Sequence, residues 1–213
     1  MKKPKKSYNL KDIIYIHVIN NIKEYFSVIL VFLISIIIGV IAINSSNEDQ
    51  VLQINDYINN FINSLKEYGN INKSSLLIET LTNNLYLVLA LWFVGSTVIG
   101  MPLIYGIVAY KGFCLSYTIS SCIITLGTWR GTIFSICATL LQNLIYIPCI
   151  FALAVSGIRL YKSIIKDRRR ENIKLEIIRH ILFSLLIGII LAVGTIVETY
   201  VSTNLIMFFI HSI

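Results

Sequence analysis

Charged side chains are scarce in this sequence. Asp, Glu, Lys and Arg together make up 14% of its 213 residues, whereas a typical soluble domain has about 25%. Hydrophobic residues make up 56%, and the mean hydropathy is +0.76. This composition is typical of an integral membrane protein and leaves almost no room for a soluble catalytic domain.

The residue groups that carry enzyme chemistry are also missing. The three histidines, His17, His180 and His211, are far apart, and the four cysteines show neither a CxxC spacing nor a nearby histidine cluster. No Gly-rich phosphate loop occurs, so any energy source would have to come from a partner. The sequence therefore predicts no catalytic residue, no disulfide, no metal and no cofactor.

The excess of positive charge does not indicate nucleic acid. The formal net charge is +7, but the basic residues cluster at the ends of apolar segments, where such residues orient a protein in the membrane. We therefore expect membrane lipid, and no nucleic acid, among the partners.

Five apolar segments predict an all-α, polytopic bundle of about five transmembrane helices in one membrane domain. The predicted spans cover residues 25–44, 81–108, 113–126, 132–158 and 178–201. Gly95, Gly100 and Pro102 interrupt the second span, and Lys111-Gly112 is predicted to form a tight turn after it. The third segment, at 1.5 Å per residue, is only about 21 Å long. A full crossing and a re-entrant loop are therefore both open for it.

Residues 45–80 contain a predicted amphipathic helix. Apolar side chains recur there at helical spacing on one face, whereas Asn and charged residues occupy the other; that face comprises Val51, Ile54, Ile58, Phe61, Leu65 and Tyr68. We expect this helix to rest on the bilayer or to dock on a partner. Tyr57 and Phe61 are the candidate contact residues.

The distribution of Lys and Arg predicts the topology. Six lysines lie in or beside the basic tail 1–24, and eight basic residues fall between Arg159 and Arg179, mostly in the basic loop 159–177. The 45–80 region holds only Lys66 and Lys73. Under the positive-inside rule the N-terminus and the 159–177 loop are cytoplasmic, and the amphipathic helix is outside. A re-entrant third segment would put one of the two basic clusters outside, so this topology favours a full crossing by that segment.

The fourth span carries a narrow polar stripe. Its members recur every three or four residues and are Ser135, Thr139, Gln142, Tyr146 and Cys149. Asn143 lies beside them, and Pro148 cannot donate a hydrogen bond to the carbonyl of Leu144. Because polar side chains in a bilayer face the bundle interior, Gln142, Asn143, Tyr146 and Pro148 are predicted to build a helix interface. A solute pathway is the alternative.

Small residues four apart permit close approach of helices, although such pairs are frequent in membrane sequences. Three occur here: Ser35/Gly39, Ser96/Gly100 and Gly188/Ala192.

Glu198 is the acid well inside the fifth span. At 1.5 Å per residue it lies about 28 Å along the helix from Arg179, near the predicted outer boundary. We hypothesise that it pairs with Arg130, in the predicted outer turn between the third and fourth spans. A glutamate wetted by lipid headgroups is the alternative.

Three stretches resemble the stage II sporulation protein M family. LWFVGSTVIGMPLIYGIVAYKG, residues 91–112, resembles its second-helix signature, with Gly100 and Pro102 in the Gly-x-Pro and Lys111-Gly112 at the end. TWRGTIFSICATLLQNLIYIP, residues 128–148, resembles its Trp-x-Gly turn followed by Gln-Asn and Ile-Pro, and GTIVETYVS resembles its glutamate motif. Departures from the family pattern are Arg130 in place of a common histidine, and Leu141 and Thr203 in place of frequent prolines.

The resemblance implies a non-catalytic scaffold in sporulation. Proteins of this family work with the wall hydrolases called stage II sporulation proteins D and P, so that septal peptidoglycan is thinned and the forespore is engulfed. The implied location is the cell membrane, on the mother-cell side of the septum, and a homo-oligomer is open. The alternative from another class is the membrane subunit of an ATP-driven exporter, which a basic loop and a polar stripe would also suit.

Overall fold

The computed structural model describes residues 18–68, 73–97, 99–166 and 170–211. Within these ranges the side chains at 65–68, 73, 140–142, 166, 170–172, 197–198, 202–203 and 207–211 lie outside the description. The two candidate residues Gln142 and Glu198 belong to that set, so only the helices that carry them are described. Residues 1–17 of the basic tail 1–24 are likewise outside.

The described chain is helical and contains no strand. The helices are α1 Ile22–Asn44, α2 Glu48–Tyr68, α3 Lys73–Gly95, α4 Gly100–Leu126, α5 Thr128–Ser135, α6 Leu141–Lys166 and α7 Arg170–His211, and a π-helical turn, Ile136–Leu140, joins α5 to α6. Five helical segments are long and apolar enough to cross a membrane: Ile22–Asn44, Ser74–Gly95, Gly100–Leu126, Asn143–Ile165 and Ile173–Ile206. The all-α bundle of five spans predicted from the sequence is confirmed.

The predicted turn at Lys111-Gly112 is wrong. Both residues lie inside α4, a continuous helix of 27 residues, and the chain breaks before it, after Gly95. There the Ser96 and Thr97 hydroxyls donate to carbonyls of the preceding turn, at 2.9 and 2.8 Å. Pro102 follows in the first turn of α4, where the backbone N–H that proline lacks would have no helical partner.

Because the chain breaks after Gly95 and not at Lys111-Gly112, the second and third spans differ from their predicted bounds. The second span begins at Ser74 rather than at 81 and ends at Gly95 rather than at 108. The segment 113–126, predicted as a short third span, is the second half of α4. Because 27 residues rise about 40 Å in an α-helix, α4 is long enough for a full crossing of a hydrocarbon core of about 30 Å.

Helices α1 and α4 meet through small residues on both sides. A Cβ added at Gly112 would lie 2.8 Å from the Phe32 carbonyl oxygen, and one at Gly39 would lie 2.8 Å from the Phe113 carbonyl oxygen. Ser35 packs at Gly112 and Ser116 at Gly39. The contact positions increase together along both helices, so α1 and α4 run in the same direction, as they must if α3 crosses back between them.

Helix α6 occupies the centre of the bundle. More than half of its span is buried, a larger share than in any other described span. Its side chains pack against α1, α3, α4 and α7, and Phe151 meets Phe32 of α1 edge to face with ring centroids 5.1 Å apart. Because lipid tails are as apolar as leucine, this close packing and not the removal of surface from water holds membrane helices together.

A buried histidine lies at a close contact between α3, α6 and α7. A Cβ added at Gly95 would lie 2.9 Å from the Gly157 Cα and 3.1 Å from the His180 Nε2. His180 is 2% exposed, its Nδ1 is 2.9 Å from the Ser156 hydroxyl, and its Nε2 has no hydrogen-bond partner within the described part of the chain. The three helices therefore enclose this histidine.

The two ends of the bundle differ in chemistry. At one end Lys162 of α6 pairs with Glu24 of α1 at 2.7 Å, and Glu176 of α7 pairs with Arg159 at 3.1 Å and with Arg179 at 2.8 Å. These ion pairs tie together the start of α1, the end of α6 and the start of α7. No such pair occurs at the opposite end of the described bundle, where α4 terminates.

The amphipathic helix α2 covers that opposite end. Ile58 is buried against Cys122 of α4 and Phe134 of α5, and the Thr125 hydroxyl of α4 donates to the Asn55 side-chain oxygen at 2.7 Å. The predicted amphipathic helix is therefore present. Its apolar face docks on the chain's own bundle, an arrangement that the sequence did not indicate, while Tyr57 remains 76% exposed.

Candidate polar cavity around Lys111

Helix α4 carries a single charged residue, Lys111. It lies 11 residues after Gly100, about 17 Å along the helix axis at 1.5 Å per residue. That distance is close to half the thickness of a hydrocarbon core of about 30 Å. The break between α3 and α4 causes this placement, because a turn at Lys111 would have put the lysine at the membrane surface.

Lys111 borders a polar cavity of about 340 Å³ between α3, α4, the π turn and α6. Ten residues line it, and most carry hydroxyl or amide groups: Thr80, Asn83, Asn84, Lys111, Cys114, Leu115, Thr118, Thr139, Asn143 and Tyr146. Since one water takes about 30 Å³ of liquid volume, the space is large enough for a small polar ligand or for several waters.

The half-buried Lys111 side chain contacts an aromatic ring rather than a carboxylate. Its Nζ lies 5.5 Å from the centroid of the Tyr146 ring, an arrangement worth about 0.5–2 kcal/mol. Among the described side chains no Asp or Glu pairs with it. Charged residues at membrane depth face bundle interiors or water-filled cavities and mark functional sites, so Lys111 is the residue around which the candidate site is built.

The π turn supplies one wall of the cavity. Thr139 lies within Ile136–Leu140, and the Asn143 side-chain amide donates to the Thr139 carbonyl oxygen at 2.8 Å. In a π turn each carbonyl accepts from the backbone N–H five residues later. The side-chain amide of Asn143, only four residues later, therefore gives the Thr139 carbonyl oxygen a further donor. Such turns inside α-helices frequently occur at functional sites.

A hydrogen bond across helices holds the opposite wall. The buried Asn84 of α3 donates through its side-chain amide to the Thr195 hydroxyl of α7 at 2.7 Å. Thr195 in turn donates to the Leu191 carbonyl oxygen at 2.8 Å. This chain of donors fixes the position of Asn84, while the neighbouring Asn83 keeps its side chain exposed.

A second cavity lies beneath α2. Its volume is about 580 Å³, and it shares Thr118 and Thr139 with the polar cavity. Tyr57, Ile58 and Phe61 of α2 line one side of it, and most of the exposed surface inside is apolar. The two cavities therefore share two lining threonines. The cavity at the level of Lys111 is polar, and the cavity near the bundle end is mainly apolar.

The predicted polar stripe faces the inside of the bundle at its described positions. Tyr146 and Cys149 are each 7% exposed, and the buried Ser135 donates to the Gly131 carbonyl oxygen at 2.7 Å. Thr139 and Asn143 line the cavity. The side chain of Gln142 is outside the described set.

The other candidate residues lie away from Lys111. Gly100 is buried at the break before α4, Pro102 is exposed in the first turn of α4, and Pro148 is exposed on α6. Arg130 is exposed on α5. Because the side chain of Glu198 is not among those described, its pairing with Arg130 stays a prediction.

Several cavity residues were not singled out from the sequence. Thr80, Asn83, Asn84 and Thr118 fall in segments that read as apolar spans or as their margins. Asn83 and Asn84 are two adjacent amide side chains in an apolar segment, as are Gln142 and Asn143. Because a bilayer penalises such polar pairs, this pattern could have identified Asn83 and Asn84 as candidates. Lys111 was noted as part of a predicted turn and of the family's second-helix signature, and not as a charge at membrane depth.

Five long apolar helices that pack together define a multi-pass α-helical membrane protein. No cluster of three or more His, Cys, Asp or Glu side chains in the described chain could hold a metal ion. Comparison with family models then gives the identity: the chain belongs to the Stage II sporulation protein M family, whose model matches residues 28–203. It is thus a membrane protein of sporulation, as the resemblance indicated. Neither the curated proteins nor the solved structures give a match.

Proposed function

We propose that this protein is a non-catalytic membrane scaffold that localises and assembles the wall hydrolases, stage II sporulation proteins D and P, at the septum. There it supports septal wall thinning and engulfment of the forespore from the mother-cell side. The observation that carries the proposal is the family match across residues 28–203. The docked helix α2 supports it, because a scaffold needs a surface held in a fixed position.

The proposed orientation places the ion-paired bundle end in the cytoplasm. Lys162, Arg159 and Arg179 lie at this end, and the remaining basic residues of the 159–177 loop and of the N-terminal tail are close to it in sequence. The positive-inside rule then puts α2 outside. The wall that the hydrolases cut is on the same side.

The outward surface of α2 is the proposed contact for the hydrolases. Leu52 is 58% exposed, Tyr57 76% and Phe61 46%, although Ile58 between them is buried against the bundle. Exposed aromatic residues on a rigid support are typical anchors of protein interfaces. A Tyr57→Ala substitution removes such an anchor and leaves the buried Ile58 in place.

The test is affinity purification of the tagged protein from gently solubilised membranes of sporulating cells. We expect both hydrolases to be recovered with the unmodified chain and at least about tenfold less with Tyr57→Ala, since a hot-spot tyrosine is worth about 2 kcal/mol or more. Asn59→Ala, also on an exposed position of α2, is the matched control and should retain recovery. Absence of both hydrolases from the unmodified sample would refute the scaffold.

A transport role is the second candidate, because the Lys111 cavity is a polar space at membrane depth. In that case the chain would be the membrane subunit of an exporter, and an ATPase would dock on the 159–179 region. Recovery of an ATPase without hydrolases in the same purification would favour this role. Recovery of hydrolases without an ATPase would exclude it.

A further inference from the structure

The contact of α3, α6 and α7 at His180 provides a reference level for depth in the bundle. Gly95 and Gly157 meet there beside the imidazole, and the Ile104 side chain of α4 lies 2.9 Å from a Cβ added at Gly157. These four residues therefore mark one height on four helices, which we call the histidine level. The ion pairs lie beyond this level, toward the bundle end opposite α2.

The polar cavity lies wholly on the other side of the histidine level, in the half of the bundle nearer to α2. At 1.5 Å per residue, Lys111 is about 10 Å from the level along α4, Asn83 about 18 Å along α3 and Thr139 about 27 Å along α6. The ten described lining residues all fall within this range. The exposed members of the lining, Asn83 and Thr118, are both further from the level than Lys111, so the cavity opens on the α2 side of the lysine.

A layer of buried apolar side chains separates the cavity from the histidine level. Leu91 of α3, Val108 of α4 and Leu153 of α6 each lie four residues from the level and are at most 1% exposed. They belong to one packed core. On α7 the same height is occupied by the buried Ser184, whose hydroxyl donates to the His180 carbonyl oxygen of its own helix. Because narrow hydrophobic layers exclude water, this layer closes the cavity toward the ion-paired end.

We propose that the cavity around Lys111 is a water-filled vestibule that opens toward the bundle end covered by α2 and is closed toward the ion-paired end. It admits water and small polar solutes as far as Lys111. The amide and hydroxyl groups of its wall require this water, since such groups are costly in hydrocarbon. The access path is the same whether or not a carboxylate pairs with the lysine. It is also independent of the scaffold role, because it requires no protein partner.

The experiment measures the reaction of native cysteines with a small, membrane-impermeant, anionic methanethiosulfonate reagent. The full-length protein is kept in sealed membrane vesicles of both orientations, and mass spectrometry locates the modified residues. Cys114 lines the cavity, whereas Cys149 is buried in the apolar core; the two lie about 15 and 12 Å from the histidine level at 1.5 Å per residue. Labelling of Trp129→Cys and Ile99→Cys, which flank α4, identifies the membrane side at each bundle end.

We expect Cys114 to react from the α2 side, the side of Trp129, at least about tenfold faster than Cys149, since the reactive thiolate forms where water reaches the thiol. Asn83→Cys should react from the same side. Leu85→Cys is the matched control, because residue 85 lies two positions further along α3 and is 52% exposed but does not line the polar cavity. It should react slowly from both sides. If Asn83→Cys does not fold, the native Cys114 alone is decisive.

Each outcome decides the proposal. Fast labelling of Cys114 and of Asn83→Cys from the α2 side alone supports the vestibule. Equal labelling from both sides means that the apolar layer does not close the cavity, and it overturns the proposal in favour of a continuous solute path. Labelling of Cys114 as slow as that of Cys149, or of Asn83→Cys as slow as that of Leu85→Cys, means that the cavity is dry and also overturns it. So does labelling from the ion-paired side alone, or labelling of both reference positions from one side.

Discussion

Ser35 of α1 and Gly112 of α4 are packed so closely that a methyl group at residue 112 would collide with the Ser35 hydroxyl and with the backbone of Phe32. Four residues further along both helices, Ser116 and Gly39 repeat the contact in the opposite sense. This reciprocal pattern fixes the two helices side by side and parallel. It also explains why a glycine lies in the middle of α4, where it would otherwise weaken the helix.

Gly112→Ala should therefore destabilise the bundle by about 1–3 kcal/mol, the usual cost of overpacking a well-filled interface. The obstacle includes the Phe32 carbonyl oxygen at 2.8 Å from the added Cβ, which cannot move without the helix. Gly106→Ala on the same helix is the control, because apart from its own stretch of helix no described atom lies within 4 Å of an added Cβ. Thermal unfolding in detergent should show a lower Tm for the first variant and an equal or higher Tm for the second, and a reversed order would contradict the α1–α4 packing.

Ser156→Ala should lower the free energy of unfolding by about 1–3 kcal/mol, the cost of leaving a buried polar group unpaired. The Ser156 hydroxyl lies 2.9 Å from the His180 Nδ1, and within the described chain the Nε2 has no hydrogen-bond partner. Ser184→Ala is the matched control, since that hydroxyl donates within its own helix, to the His180 carbonyl oxygen. Equal stability of the two variants, measured by denaturant unfolding in mixed micelles, would mean that the Ser156–His180 contact is not formed.

The ion pair between Lys162 and Glu24 should contribute little stability. Its atoms are 2.7 Å apart, but the lysine side chain is 48% exposed, and pairs of this kind are worth about 0.2–1 kcal/mol. A double-mutant cycle with Lys162→Gln and Glu24→Gln should return a coupling free energy in that range, and it should shrink at high salt. A coupling well above this range, insensitive to salt, would show that the pair is buried in the membrane-embedded protein.

Full crossing by α4 predicts that its two ends face opposite sides of the membrane. Ile99 before α4 is 69% exposed and Trp129 after it is 78% exposed, so both positions are suitable for labelling. In a chain freed of native cysteines, Ile99→Cys and Trp129→Cys should react with a membrane-impermeant maleimide from opposite sides. Reaction of both from one side would restore the re-entrant alternative.

The helical architecture could be predicted from the sequence, whereas the candidate site could be predicted only in part. The span 25–44 and the amphipathic helix around Ile58 were placed within a few residues, because hydropathy and helical periodicity are local properties. The Ser35/Gly39 pair was visible too, but nothing in the sequence distinguished it from other small-residue pairs. Its partner pair at Gly112 and Ser116 is separated by more than 70 residues, and only packing brings the two together.

The sequence by itself determined that the chain is helical, apolar and built from five spans with basic ends, since these properties follow from the solvation of each segment. The tertiary structure decided where α3 ends, and so moved Lys111 from a predicted surface turn to membrane depth. It also decided that the apolar face of α2 meets Cys122 and Phe134 of the same chain. These features depend on which helix faces fit together, and that fit is a property of the assembled bundle and not of any single segment.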